Sequence, residues 1–161
     1  MQTKMDISRL EEESRFFRHA IERYQDDYPD EVLVSDPARI NSKFPHDCCK
    51  SVSWMLGHHL SNNGFENIQY VNGHRSEGSH GWLEIEGVIV DITADQFADE
   101  DRPVIVARPD ESGFHAEMER QQRFPWQPSE VHAEKAQDII SHYKVVTQHN
   151  DSTDRKRDMC R

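Results

Sequence analysis

Three residues that could perform nucleophilic chemistry stand where predicted elements begin or end. Cys49 lies in the first turn of a predicted helix, where unpaired backbone N–H groups and the positive end of the helix dipole favour a thiolate. His80 begins the strand HGWLEI, and Asp91 lies in the strand that follows. A thiolate, an imidazole base and a carboxylate that orients the base are the groups that attack a carbonyl carbon and return a proton to the leaving group.

The predicted hairpin after His80 brings Asp91 to the same face of the sheet. Alternation along the first strand puts His80, Trp82 and Glu84 on one face. If the hairpin is symmetric about Glu86-Gly87, Ile85 pairs with Val88, Glu84 with Ile89 and Trp82 with Asp91. Asp91 is then diagonal to His80, about 7–8 Å away or less between Cβ atoms. A one-residue bulge would turn Asp91 to the opposite face, so the pairing depends on this register.

Two adjacent cysteines compete for the role of nucleophile. They point about 100° apart around the helix, so both cannot face one substrate. Cys49 shares a stripe with Val52, Ser53, Leu56 and Leu60, the face expected to pack on the sheet. Cys48 shares its face with Met55 and His59, and we therefore predict Cys49. Its backbone N–H is one candidate oxyanion donor, and the candidates for a second are Asn41, His46, Gln69 and Gln96.

The elements that must position these residues follow from the apolar pattern. An amphipathic helix is predicted from Ser8 to Gln25, with Ser8 and Glu11 at capping-box spacing. Three prolines then predict an extended connection with a short piece at Val32 to Val34. The helix that carries Cys49 is predicted to have Asp47 as N-cap and to stop at Ser61 to Gly64.

The second half of the chain predicts a sheet and a closing helix. Strands are predicted at Ile68–Val71, Trp82–Ile85, Val88–Ile92 and Val104–Val106. Thr93 is expected to cap a helical turn that runs to Phe97. No period is evident from Asp110 to Pro128, and a helix is predicted from Ser129 to Val146, with Val131, Ile139, Ile140 and Tyr143 facing inward. This order predicts an α+β fold, one domain over residues 1–147 and a polar, disordered tail over 148–161.

The segments FPHDCCKSVSWMLGHHL and GSHGWLEIEGVIVDITADQF resemble the papain-like and transglutaminase-like cysteine enzymes, particularly small bacterial members. Those enzymes have a cysteine at a helix start, a His-x-Trp strand and an aspartate at the end of the next strand. The resemblance covers Phe44 to Val106. It matches the cysteine, histidine and acid of the family to Cys49, His80 and Asp91, and it implies a papain-like core in which the nucleophile helix packs on an antiparallel sheet.

The resemblance also implies an activity, which is thiol-dependent acyl transfer from an amide with no cofactor. A protein or peptide substrate is expected, acted on by a peptidase or by a glutamine deamidase. Two alternatives stay open: transglutaminase-type transfer to an amine, and an inactive binding module on the same scaffold. Cys49-Lys50 replaces the family's common Cys-Trp pair, and no papain-type asparagine follows His80 at long range, so the substrate class is open.

Composition and charge argue against several other classes. Thirty acidic and nineteen basic residues give a net charge of −11, which repels phosphate backbones and anionic lipids, so neither nucleic acid nor membrane is expected as a partner. No stretch approaches the roughly 20 apolar residues that span a bilayer. Three cysteines, two of them adjacent, indicate reduced thiols and a cytoplasmic location, and a toxin exported into a target cell's cytosol would have the same features.

Ten histidines raise a zinc alternative. The candidate ligands are His46, Cys49, His58, His59, His74 and His80. No pair has HExxH or CxxC spacing, and the adjacent His58 and His59 point to different sides of a helix. The sequence therefore predicts no metal site, and it leaves the oligomeric state open.

Overall fold

The computed structural model describes residues 4–30, 43–127 and 133–159, and these form an α+β fold, as predicted. The helices are α1 (Ile7–Asp27), α2 (Cys49–Asn62), α3 (Gly113–Ala116) and α4 (Ala133–Met159). The strands are β1 (Ile68–Arg75), β2 (Gly78–Ile85), β3 (Val88–Asp91), β4 (Ile105–Ala107) and β5 (Glu119–Pro125). Two 3₁₀ turns, Ala94–Gln96 and Pro109–Glu111, lie between strands. The short piece predicted at Val32 to Val34 is outside the described residues.

α1 forms because its apolar residues recur at helical spacing and can be buried together. Leu10, Phe17, Ala20 and Ile21 are fully buried in the core shared with α2 and α4. The Asp6 carboxylate accepts a hydrogen bond from the backbone N–H of Arg9 at 3.1 Å. Asp6 is therefore the N-cap, and the predicted capping box of Ser8 and Glu11 is wrong because the helix begins before it.

α2 carries Cys49 in its first turn, as the sequence predicts, and Cys49 is the first residue of the helix. The predicted N-cap, Asp47, is wrong: Cys48 occupies that position and makes no side-chain cap hydrogen bond, while Asp47 has φ of 57°. The helix ends at Asn62, inside the predicted stop. The side chain of the N-cap residue therefore does not occupy the backbone N–H groups of the first turn, which lie next to the Cys49 thiol.

α4 is longer than the sequence predicts. The predicted end at Val146 is wrong, since the helix continues to Met159; residues 148–159 are polar, as predicted, but helical and not disordered. Its polar second half is held against α1 by ion pairs: His149 Nε2 lies 2.5 Å from Asp27 Oδ2, and Arg23 lies 2.6 Å from Asp154 Oδ1. None of the described helices has an apolar stretch long enough to cross a membrane.

The sheet is antiparallel throughout, in the order β4-β3-β2-β1-β5. In the β2–β3 hairpin Leu83 pairs with Val90, Glu84 with Ile89 and Ile85 with Val88. The two predicted pairs nearest the turn are confirmed. Glu86 and Gly87 have φ of 49° and 79°, the two positive values that a type I′ turn requires. The register needed to bring Asp91 toward His80 is therefore present.

The two faces of the sheet are buried in two apolar clusters. The face toward α1 and α2 includes Tyr70, Leu83, Ile85 and Val90. The other face includes Val71, Trp82, Ile89, Phe114 and Met118. Neighbouring residues alternate between the clusters, as a strand period of two dictates. His80 and Asp91 share the face of Trp82, whereas α2 lies on the opposite face.

Candidate active site

The two cysteines occupy different surroundings. Cys48 is buried, and burial, with the charge of Cys49 second, raises the pKa of its thiol. Cys49 is partly exposed at the start of α2, where its sulfur accepts a hydrogen bond from the Gly81 backbone N–H and bonds the His80 side chain. The thiol that combines access with a lowered pKa is that of Cys49, the residue that the sequence favours.

His80 links Cys49 to Asp91. Its Nε2 lies 2.6 Å from Asp91 Oδ2, and the two residues are only 1% and 2% exposed. A carboxylate can only accept, so Nε2 carries the proton and Nδ1 is left for the thiol. The hydrogen bond between His80 and Cys49 completes the line. The structure thus brings the three predicted site residues together.

The pKa of the thiol is lowered and the pKa of the imidazole is raised, so each shift favours the charged form of its own group. Burial acts to raise the pKa of Cys49, but the hydrogen bond and the charge of His80 outweigh it and leave that pKa below its ordinary value. Burial acts to lower the pKa of His80, but the Asp91 charge and the hydrogen bonds to Asp91 and Cys49 raise it to about 10. The stable form between these two pKa values is a thiolate–imidazolium pair.

Gly81 lies where α2 and the sheet meet beside the Cys49 thiol. A Cβ at position 81 would lie 2.1 Å from the hydroxyl oxygen of Tyr70, a distance that no side chain can accept. The Gly81 carbonyl accepts a hydrogen bond from Ser53 Oγ at 3.4 Å, one turn along α2 from Cys49. Burial, with the charges of Cys49 and Asp91 second, raises the pKa of Tyr70, so its hydroxyl stays neutral near the site.

Asp91 is held by donors on both carboxylate oxygens. Its Oδ1 accepts from the Thr93 backbone N–H at 2.9 Å and from Thr93 Oγ1 at 3.4 Å. Its Oδ2 accepts from His80 and also from His115 Nε2, at 2.8 Å. Burial acts to raise the pKa of Asp91, but the charge of His80 and these hydrogen bonds hold it well below the usual range. The carboxylate is therefore ionised and fixed in orientation.

His115 is the site residue that sequence reasoning missed. It lies in the four-residue helix α3, within a segment that has neither helical nor strand period. It is 2% exposed, and its Nδ1 lies 2.6 Å from Ser112 Oγ. The contact with Asp91 joins residues 24 apart along the chain, so no local spacing signals it.

The shared oxygen of Asp91 also bears on metal binding. His80, Asp91 and His115 are a group among the described residues whose ligand atoms all lie within 4.8 Å of one another. Around tetrahedral zinc, bonds of about 2.0–2.1 Å separate ligand atoms by about 3.3 Å. The N–O distances here are 2.6 and 2.8 Å, so the three side chains are spaced for hydrogen bonding and are too close to share zinc without moving apart.

Aromatic rings enclose the base. Trp82 stacks on the His80 ring with centroids 5.9 Å apart, and Phe97 and Phe114 contact it edgewise at 5.2 and 5.7 Å. These rings keep bulk water from the imidazole, and the electron-rich face of Trp82 favours its cationic form. Catalytic use of His80 therefore has to proceed through Nδ1, the nitrogen on the side of Cys49.

Of the four residues predicted as a second oxyanion donor, Gln96 lies at the site. Its Nε2 is 3.3 Å from His80 Nδ1 and donates to the Thr93 carbonyl at 3.0 Å, and its Oε1 accepts from the Asp47 N–H at 3.3 Å. His46 and Gln69 are exposed, and Gln69 lies on β1 between Glu84 and Pro125. Asn41 is outside the described residues. The predicted turn with Thr93 as cap residue positions Gln96.

Comparison of the chain with protein-family models, with curated proteins and with solved structures finds no match.

Proposed function

We propose that the protein is a papain-like cysteine hydrolase of amide bonds, with Cys49 as nucleophile, His80 as base and acid, and Asp91 as the residue that orients His80. The observation that carries this proposal is the continuous hydrogen-bonded line from a partly exposed thiol at a helix start, through a buried imidazole, to a buried carboxylate. A nucleophile helix on an antiparallel sheet that supplies the other two residues supports the papain-like core.

The reaction begins with the thiolate–imidazolium pair. The sulfur of Cys49 attacks the carbonyl carbon of an amide, and the carbonyl electrons move onto the oxygen. His80 gives its Nδ1 proton to the leaving nitrogen, the C–N bond breaks, and a thioester forms. Neutral His80 then takes a proton from water, the hydroxide adds to the thioester, and the carboxylic acid leaves as Cys49 returns to the thiolate.

The oxyanion of each tetrahedral intermediate needs two donors. The backbone N–H of Cys49 is one, because the first residues of α2 have no intrahelical partner for their N–H groups. The side-chain amide of Gln96 is the second, since its Nε2 lies beside His80 and its other contacts fix its orientation. Such donors stabilise charge that develops only during the reaction.

Labelling with iodoacetamide separates an enzyme from an inactive binding module. At neutral pH we expect alkylation at Cys49 to be at least about tenfold faster than at Cys48 and Cys160, because His80 lowers the pKa of Cys49 whereas burial raises that of Cys48. His80→Ala should remove this preference, whereas Cys48→Ala should leave the rate at Cys49 unchanged. Equal, slow labelling of all three cysteines, mapped by mass spectrometry, would favour the module.

The choice of acceptor distinguishes hydrolysis from transfer. Glutamine-containing proteins and peptides incubated with a labelled primary amine should show peptide cleavage or the mass shift of deamidation if water resolves the thioester. Incorporation of the amine without cleavage would instead assign the transglutaminase-type reaction. Cys49→Ser, which keeps the site's shape, is the matched control for both products.

A further inference from the structure

We propose that His115 is a positioning residue that shares the Oδ2 atom of Asp91 with His80 and so limits how strongly Asp91 holds the His80 cation. This inference rests on the proposed function of Cys49, His80 and Asp91. It assigns a role to a buried imidazole that the acyl-transfer steps do not use.

The geometry gives His115 one protonation pattern. Asp91 Oδ2 accepts from His115 Nε2 at 2.8 Å, so Nε2 carries the proton. If the ring carries only this proton, its Nδ1 accepts from the hydroxyl of Ser112, 2.6 Å away. Ser112 is fully buried, so this hydroxyl fixes a tautomer and has no access to a substrate.

Neighbouring rings hold His115 in place. Its ring lies edgewise to Trp82, with centroids 4.8 Å apart, and to Phe114 at 5.1 Å. Its backbone carbonyl accepts from Gln121 Nε2 at 2.9 Å. The partners of the His115 side chain are therefore Asp91, Ser112 and these rings, which makes its action on Cys49 indirect.

The shared oxygen predicts the direction in which loss of His115 changes the stability of the His80 imidazolium. Oδ2 accepts from His80 at 2.6 Å and from His115 at 2.8 Å, while Oδ1 is occupied by Thr93. The N–H of His115 draws on negative charge that would otherwise stabilise the His80 imidazolium. Without that N–H, Asp91 should favour the imidazolium more strongly, and the thiolate of Cys49 should persist to lower pH.

Several elements that pack around Asp91 and His80 contribute other ionisable groups. They are Cys48, the residue before α2, Cys49 on α2, Tyr70 on β1, His115 on α3, and the Arg102–Glu100 pair, which acts at longer range. Variants of His115 leave all the others in place. A change in the pH profile can therefore be assigned to the oxygen that His115 shares.

The test compares two variants by the pH dependence of Cys49 alkylation. His115→Phe removes the N–H and should move the acid limb of the profile down by about one pH unit. His115→Gln keeps an N–H near the same place, so the acid limb of its alkylation profile should stay at the wild-type pH. A limb that stays in place or moves up in His115→Phe would overturn the proposal, because a purely structural loss misorients Asp91 and makes the thiolate less stable.

A second measurement tests which ring nitrogen of His115 is protonated, and it needs no variant. In wild-type protein labelled with ¹⁵N-histidine, the ring of His115 should show a protonated Nε2 and an unprotonated Nδ1. A ring protonated only at Nδ1 would overturn the proposal even if His115→Phe does not fold. An unreactive Cys49 in the wild-type protein would refute the proposed function, and the tautomer of His115 would still be read separately.

Discussion

The pKa of Cys49 is lowered because its interaction with His80 outweighs its burial. Burial removes water from the sulfur and raises the pKa of the thiol, and the same burial strengthens its interaction with the His80 cation. Cys48, one residue earlier, experiences burial without a histidine partner, and its pKa rises. Reactivity at this site therefore follows from the neighbour of the sulfur and not from helix position alone.

Asp91→Asn should slow alkylation of Cys49 at neutral pH by about 10- to 100-fold. With one amide oxygen kept toward Thr93, the NH₂ group faces His80 and cannot accept its Nε2 proton. His80 then holds its proton on Nδ1, and that nitrogen can no longer take the proton of the thiol. The rate of iodoacetamide labelling at Cys49, resolved by mass spectrometry, is the measurement.

A double variant tests whether Asp91 acts through His80. Adding Asp91→Asn to His80→Ala should cause no further loss of rate, because residues that act as a unit are not additive. Asp110→Asn, an exposed acid in the turn Pro109–Glu111, is the matched control and should label as the wild type does. A second, equal loss in the double variant would contradict the role of Asp91.

At the scale of elements, the β2–β3 hairpin was predictable because two local signals agree. Alternation places His80 on the face of Trp82, and Glu86-Gly87 supplies the turn. Together they fix the register, and the register places Asp91 beside His80. The helix start at Cys49 was predictable within one residue from the apolar stripe, although the cap was not.

The elements that sequence patterns missed are held by contacts distant along the chain. β5 is an edge strand whose residues are mostly exposed, so no alternating apolar pattern marks it, and it exists through pairing with β1. α3 is too short for a helical period. His115 reaches Asp91 from that segment, and the polar half of α4 is anchored by ion pairs to α1.

For the whole molecule, His80 and Cys49 make the free energy of unfolding depend on pH in opposite directions. The pKa of His80 is raised to about 10, so its contribution is fully present below its unfolded pKa of about 6.5 and is lost as pH rises through the folded value. The pKa of Cys49 is lowered, so its contribution is fully present above its unfolded pKa of about 8.5. The two contributions therefore have opposite pH dependence wherever Cys49 is a thiolate in the folded protein and a thiol in the unfolded chain.

Cys49→Ser should therefore change the pH dependence of unfolding. The free energy of unfolding of Cys49→Ser should fall by about 1–2 kcal/mol from about pH 6.5 to 8.5, because only His80 remains, whereas that of the wild type should fall less over the same range. Denaturant titrations at several pH values provide the measurement. Parallel curves for the two proteins would show that Cys49 and His80 do not share charge in the folded state.

The most direct test of the ion pair is a titration of thiolate absorbance in the far ultraviolet. In the wild-type protein one thiolate should form below the pKa of about 8.5 of a free cysteine. That step should be absent from Cys49→Ser and should move above the same value in His80→Ala, where burial, the largest effect on this thiol, is opposed by the Gly81 backbone N–H but no longer by His80. A wild-type protein in which no thiolate forms below that value would contradict the account.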